Sequence, residues 1–484
     1  MSQNNYINGE WRPANGDSFS SYDPSSDAQI WQGKSSTAPD VAAAFDAANA
    51  AFKGWAALSL EDRLKPIETF KQIALARKDE MAKRIAQEAG KQLWDAAGEA
   101  GAVAGKVDIS VTAYHDRTGK SLRDTAFGQA ALQHRPHGVM AVLGPYNFPA
   151  HLPNGQILPS LIAGNTVVFK PSEQTPAVGQ LLMEFYAEAG FPAGVINLVQ
   201  GARETGAAVL DSDKLDGLLF TGSAKTGAFI HKNFGGRPEI VLALEMGGNN
   251  PLIVWDAADA PAAASMIAQS AFITSGQRCT CARRLIVPAG PKGDAIIEAT
   301  VEFMDRMTLG SWDEAPATMG PLISADIAGH VAKAAQALEK AGAKAFRCAQ
   351  ITERGGAFIS PGLYDVSGID VADEEIFGPV LTVTRAASWD EAIEEANKTR
   401  FGLAAGLISD KADLWEDFRK RIRAGVVNFN RPTTGAAGFL PFGGPGASGN
   451  HNPGAYYAAD FCAWPMASQV ADEVQSLPMQ GLKP

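Results

Sequence analysis

From about residue 138 onward, short apolar runs of strand character alternate with helix-length stretches, and this rhythm constrains the fold more than any other feature of the chain. The runs are Gly138–Leu143, Thr166–Phe169, Val195–Val199, Gly217–Phe220 and Ile240–Leu244. Between them, Pro176–Gly190 presents Leu181, Leu182, Phe185 and Tyr186 as an apolar helix face. Short strands separated by helices are the mark of βαβ units and a parallel sheet. A second alternating region runs from Pro251 to about Gly446. Residues 38–110 read as mostly helix, with Phe45, Ala48, Phe52, Trp55 and Ala56 at three- and four-residue spacing. The polar, mixed segment 118–136 predicts a hairpin outside the main body, and the amphipathic tail from Asp460 predicts an edge strand that serves a partner subunit.

At roughly 150 residues per domain, the 484 residues suggest about three structural units. Lys and Arg number 42 against 53 Asp and Glu, a net charge of −11, and that balance argues against a nucleic-acid partner. The N-terminus is polar from Met1 and has no apolar core of a signal peptide. The most apolar stretch, 261–277, is interrupted by Ser265, Gln269, Ser270, Thr274 and Ser275, so no membrane span is predicted and a cytoplasmic protein is expected. Four cysteines, Cys279, Cys281, Cys348 and Cys462, are too few and too scattered for a disulfide framework.

The residues able to carry chemistry fall at predicted strand ends. The segment Leu219 to Gly227 is a strand that breaks at Gly222 and leads into a helix, where backbone N–H groups favour a phosphate. Ala228 and Phe229 stand where an ATPase loop needs Lys and Ser or Thr, so that reading fails, and a plain β–α turn stays open. A literal G-x-G-x-x-G at Gly444, Gly446 and Gly449 contains Pro445 and lacks a flanking strand and helix, so it reads as a tight turn. Lys170 and Glu173 close the strand Thr166–Phe169, either as ribose ligands or as a solvated turn. Asn147 lies in a turn between Pro145 and Pro149, either donating to an oxyanion or capping a helix. Glu245 emerges from an apolar strand. Cys279 follows Arg278, whose charge favours the thiolate if the side chain points that way; the alternative is an inert buried cysteine. No metal is predicted, since Cys348 and Cys462 lack paired spacings and His134 and His137 flank Arg135-Pro136.

In order along nearly the whole chain, the sequence resembles the aldehyde dehydrogenase superfamily. The resemblance is carried by Tyr6 to Trp11, Gly144 to Pro149, Lys170 to Pro176, Phe220 to Gly227, Leu244 to Gly248, Gly276 to Cys279, Glu374 to Pro379 and Pro441 to Gly444. Gly247 to Pro251, Arg278 to Arg284, Gly446 to His451, Tyr456 to Asp460 and Trp464 to Ser468 are similar to one branch, which oxidises a semialdehyde bearing two carboxylates in arginine breakdown.

The resemblance implies an α/β fold with a Rossmann-type NAD-binding domain (1–117 and 137–247), an α/β catalytic domain (248–447), and an oligomerisation hairpin with the C-terminal tail (118–136 and 448–484). It implies at least a homodimer. Cys279 takes the part of nucleophile, Asn147 that of oxyanion donor, and Glu245 that of the base that releases the acid. Members that acylate coenzyme A typically lack that glutamate, so hydrolysis is implied. Lys170 and Glu173 fall to the adenosine ribose, and Gly222, Ser223, Ala224, Lys225, Thr226 and Gly227 to the pyrophosphate. Glu375 and Phe377 fall to the nicotinamide ribose and ring, and the carboxylate of Glu173 favours NAD over NADP. Arg283, Arg284, Arg431 and His451 are cationic candidates for the substrate carboxylates, none of them singled out. Rival readings are a dehydrogenase of glutamate or succinate semialdehyde, a cysteine hydrolase with a histidine partner, and a non-catalytic binding protein.

Overall fold

The computed structural model describes residues 4–126, 128–474, 476 and 479–481. Its first sheet has seven strands, in the order Val241–Met246, Gly217–Gly222, Val139–Leu143, Thr166–Lys170, Ile196–Leu198, Asn5–Ile7 and Glu10–Arg12. The first five run parallel; the last two are antiparallel additions at the edge. Successive strand residues enter two different cores. Met140, Val142, Val167, Phe169 and Leu219 pack on the side that also holds Trp55, Ile67, Phe70 and Phe185. Val139, Ala141, Val168, Leu218 and Phe220 pack on the other side, with Val41 and Phe45. A strand buried on both faces has no polar alternation, which is why these segments read as unbroken apolar runs.

The order of strands sets the site. Helices His151–Ala163 and Pro176–Glu188 carry the chain from Val139–Leu143 outward to Ile196–Leu198. Helix Arg203–Leu210 then leads it back to Gly217–Gly222, on the opposite side of Val139–Leu143. Such a reversal opens a crevice at the carboxyl ends of the strands, the usual ligand position in a doubly wound sheet.

The second sheet runs Lys344–Arg347, Gly362–Asp365, Val380–Ala386, Ala282–Pro288, Asn250–Val254, Ala404–Ile408 and Val426–Phe429. All but the first of these strands are parallel. The expected helical region is four helices, Ala38–Ala57, Leu60–Ala76, Lys78–Ala89 and Leu93–Thr118. Among the described residues no helix is long and apolar enough to cross a membrane.

The expected hairpin is Ser121–Thr125 paired with Gly128–Pro136, and the tail strand Ala463–Val470 adds to it antiparallel from within the same chain. Before that strand, Asn450 accepts from Leu244 N–H and donates to Leu242 O, so the start of the tail lies against the first sheet. Asn165, fully buried, joins these parts. Its carbonyl accepts from His137 N–H at 2.7 Å and Gly138 N–H at 3.1 Å, and its amide donates to Ser160 O at 3.1 Å and Cys462 O at 2.7 Å. Asn165→Ala removes the side-chain partner of His137 N–H, Gly138 N–H and Cys462 O, at about 1–3 kcal/mol for each group left unsatisfied, while Ser160 O keeps the main-chain N–H of residue 165. Urea unfolding should therefore show a loss of about 3 kcal/mol or more, and a loss below about 1 kcal/mol would show that the junction does not depend on this amide.

Candidate active site

Four of the predicted residues stand at carboxyl ends of the first sheet. Asn147 follows Val139–Leu143, Lys170 ends Thr166–Lys170, Gly222 ends Gly217–Gly222, and Glu245 lies in Val241–Met246 beside Thr221. Cys279, Glu375 and Phe377 approach from the second sheet, ahead of the strands Ala282–Pro288 and Val380–Ala386. The crevice is thus bounded by carboxyl ends on one side and amino ends on the other.

The loop that carries Cys279 has an unusual backbone. Thr274, Ser275 and Gly276 lie in the left-handed region in succession, with φ of 54°, 54° and 73°. Two non-glycine residues there are uncommon and persist only when the surroundings hold them. Thr274 Oγ1 donates to Asp95 at 2.6 Å, and Ser275 Oγ donates to Gly320 O at 2.6 Å. The buried Arg283 guanidinium donates to the carbonyls of Gly276, Gly378 and Arg278 at 2.8, 3.1 and 3.1 Å. Gly276 sits so close to the Gly378 carbonyl that a side chain would collide with it.

Below the loop, Asn250 donates to Cys279 O at 2.7 Å and Cys281 O at 2.8 Å, which fixes the main chain on both sides of Thr280. The Asn147 amide donates to Gln277 O at 2.9 Å. An amide NH₂ carries two hydrogens, so one donor remains for another acceptor.

Arg278 does not activate Cys279. It turns away, pairs with Asp95 at 2.8 Å, donates to Thr274 Oγ1 at 2.8 Å and lies over the Phe148 ring. The cation that favours the Cys279 thiolate is Arg283, and it is outweighed. Burial pushes the thiol pKa well up, and the charges of Glu375 and Glu245 and the Cys281 thiol push it further. None of the groups that shift the thiol is a histidine.

Glu245 is partly exposed to the crevice, and burial raises its carboxyl to about 8, against the opposing charge of Lys106 and a hydrogen bond from Gly454 N–H. Gly454 approaches this carboxylate so closely that a side chain there would displace it. Glu375 accepts from Arg283 at 3.3 Å and from Gly248 N–H, and burial raises its pKa. Phe377 meets Tyr146 edge-on, with ring centroids 6.0 Å apart, and the Arg283 guanidinium lies 5.4 Å from its ring centroid.

Of the four cations named as carboxylate candidates, two are held by the frame. Arg283 is engaged as above, and Arg284 donates to the carbonyls of Asn249, Glu395 and Ala396. Arg431 and His451 are exposed. The triplet Gly444, Gly446, Gly449 lies around a three-residue 3₁₀ turn, with Gly449 bridged to Glu245 and no helix following. Sequence reasoning missed Asp95, Lys106 and Gly454, whose parts depend on contacts distant in the chain.

On the outer side of the crevice, Lys170 is buried and donates to Pro171 O at 2.8 Å and Gly201 O at 2.6 Å, with Glu173 at 3.9 Å. Ser223 caps helix Ala224–Asn233 by accepting from Thr226 N–H at 3.2 Å. Among the described residues no acceptor meets the N–H groups of Ala224 and Lys225. Orphan donors at a helix N-terminus at this position fit the pyrophosphate of a dinucleotide.

A family model for the aldehyde dehydrogenases matches residues 11–464, and the chain belongs to that family. It is 53% identical over 478 residues to N-succinylglutamate 5-semialdehyde dehydrogenase 2 of Caulobacter vibrioides, covering 98% of each chain. It is 52% identical over 466 residues to N-succinylglutamate 5-semialdehyde dehydrogenase of Burkholderia cenocepacia, covering 96% of each. Among solved structures it is similar to a Staphylococcus aureus betaine aldehyde dehydrogenase mutant in complex with NAD+ (26% identity, TM-score 0.92, covering 99% of this chain and 97% of that one). It is also similar to a 1-pyrroline-5-carboxylate dehydrogenase from Thermus with bound NAD (29% identity, TM-score 0.90, covering 96% and 92%).

Gly276→Ala adds a Cβ at a left-handed residue and against a carbonyl, so the loop must shift. Displacement by about 1 Å costs on the order of 100-fold in rate, and kcat/KM should fall by at least that much. Retention of activity within about threefold would mean that the loop geometry does not control the reaction.

Proposed function

We propose that the protein catalyses the NAD-dependent oxidation of N-succinyl-L-glutamate 5-semialdehyde to N-succinyl-L-glutamate, in arginine catabolism. The observation that carries this reading is the convergence of Cys279, Glu245 and Asn147 on one crevice, beside a dinucleotide-type helix terminus, in a chain so similar to relatives of that name.

In this reading the Cys279 thiol gives its proton to Glu245, whose raised pKa suits a proton acceptor near neutral pH. The thiolate adds to the aldehyde carbon, forming the C–S bond. The free N–H of Asn147 and the Cys279 backbone N–H receive the oxyanion. NAD, when bound, supplies the acceptor for the hydride that leaves a thioester on Cys279. Once Glu245 has passed the thiol's proton to solvent it takes a proton from water, the water adds to the thioester carbon, and cleavage of the C–S bond releases the acid while Glu245 returns the proton to the Cys279 sulfur. Lys170 and Glu173 would hold the adenosine ribose, the run Gly222 to Gly227 the pyrophosphate, and Glu375 and Phe377 the nicotinamide ribose and ring.

The domain division we favour is a cofactor domain of 1–117 and 137–247, a catalytic domain of 248–447, and an assembly element of 118–136 with 448–484. Leu122 and Trp464, 66% and 61% exposed on the hairpin sheet, support a homodimer or larger homo-oligomer. We expect a cytoplasmic enzyme, in keeping with its four free cysteines.

Two measurements test the reading. Glu245 holds its proton to about pH 8, so the base form accumulates as pH rises, and kcat should climb to a plateau above about pH 8. Glu245→Gln should remove that rise and lower kcat by about 10²–10⁴, with the first turnover of NADH slowed as well, because the thiol loses the same base. Wild-type turnover in this variant would exclude Glu245 as the base. For the substrate, N-succinylglutamate, glutamate and succinate semialdehydes should be compared as kcat/KM with NAD and NADP. The succinylated aldehyde with NAD should lead by at least about tenfold, and equal values would defeat the specific assignment.

A further inference from the structure

Lys106 lies within helix Leu93–Thr118 and is only 3% exposed. Among the described residues, neither a hydrogen-bond acceptor nor a carboxylate is in bonding range of its Nζ. Lys91, from the same region and equally buried, shows what such a group normally requires. Its Nζ is 2.6 Å from Glu99 and 3.5 Å from the centroid of the Phe148 ring. A buried ammonium without a partner is costly, and a fold retains one where something else completes it.

The surroundings of Lys106 locate that missing partner. Its Cε would stand 3.3 Å from a Cβ on Gly155, a partly exposed residue in the first turns of helix His151–Ala163, so the lysine side chain lies over that glycine, in space a larger residue would need. His151, one turn earlier, has a buried Nδ1 with no hydrogen-bond partner. The charge of Lys106 is felt by both Glu245 and His151, and that of Glu245 by Cys279. Lys106 therefore lies within electrostatic reach of the groups around Cys279. Burial lowers the Lys106 pKa to about 8, which leaves the side chain mostly cationic at neutral pH. His151 is held neutral, with its pKa near 4, and gives its ring N–H to the backbone of Ala102.

We propose that Lys106 is a specificity-determining residue that receives a carboxylate of the aldehyde substrate, with Gly155 leaving room for the lysine side chain. An ammonium and a carboxylate brought together away from water form a charge-assisted hydrogen bond, stronger than a neutral one. The proposal rests on the substrate reading above only in that the aldehyde carries a carboxylate. The four arginine and histidine candidates named from sequence are not needed for it.

The test is the ratio of kcat/KM for a carboxylated aldehyde to that for butanal, measured on one preparation of the full-length enzyme, so that any loss of folded protein cancels. Lys106→Met and Lys106→Gln should each lower this ratio by at least about thirty-fold, chiefly through the KM of the carboxylated aldehyde. A ratio within about threefold of wild type in both variants overturns the proposal. So does an equal fall on both aldehydes with a displaced pH profile, which would make Lys106 a positioning residue for Glu245. Succinate semialdehyde and N-succinylglutamate semialdehyde are both used as the carboxylated member. If wild type favours the shorter one, the substrate assignment fails, while the Lys106 ratio still decides this proposal.

Discussion

The site depends first on a backbone constraint, the left-handed run Thr274–Ser275–Gly276 that turns the chain out of its helix and presents Cys279 to the crevice. It is held at several points at once, by Asp95 from a helix early in the chain, by Gly320 and Gly378, and by Arg283. Left-handed non-glycine residues cost on the order of 1–3 kcal/mol each, so the loop would relax if these partners were absent. The amide of Asn147 on Gln277 then links this loop to the first sheet. One contact set therefore fixes both the cysteine and its proposed oxyanion donor.

Electrostatics around the cysteine follow from that packing. Burial among Glu375, Glu245 and Cys281 keeps the thiol protonated, and the neighbouring Arg283 is engaged with Glu375 and three carbonyls. A thiol in such a place reacts only with a base at hand. Glu245, raised by the same burial, is suited to that part. The charges in the crevice thus divide into those that hold the frame, such as Arg278 with Asp95, and those that find no partner among the described residues, of which Lys106 is the clearest.

Much of the architecture was legible in the sequence because parallel strands buried on both faces leave unbroken apolar runs. The five runs from Gly138 to Leu244 all became strands of one sheet, with ends differing by a residue or two. The hairpin was legible from its polar texture. Which residues converge was legible only through resemblance, since Asn147 and Gln277 are 130 positions apart. The direction of Arg278, on which its effect on Cys279 depended, was illegible for the same kind of reason. Its adjacency to Cys279 suggested activation, but a side chain's direction is set by its partner, and Asp95 lies 183 positions away.

The sequence by itself determined the α/β class, the strand positions and the residue types able to carry aldehyde chemistry, because apolar periodicity and residue identity are local properties. The tertiary structure decided which strand ends face each other, which cations are bound by carbonyls, and which ammonium is left unpaired. Strand order and desolvation decide those matters, and both depend on contacts between segments far apart in the chain.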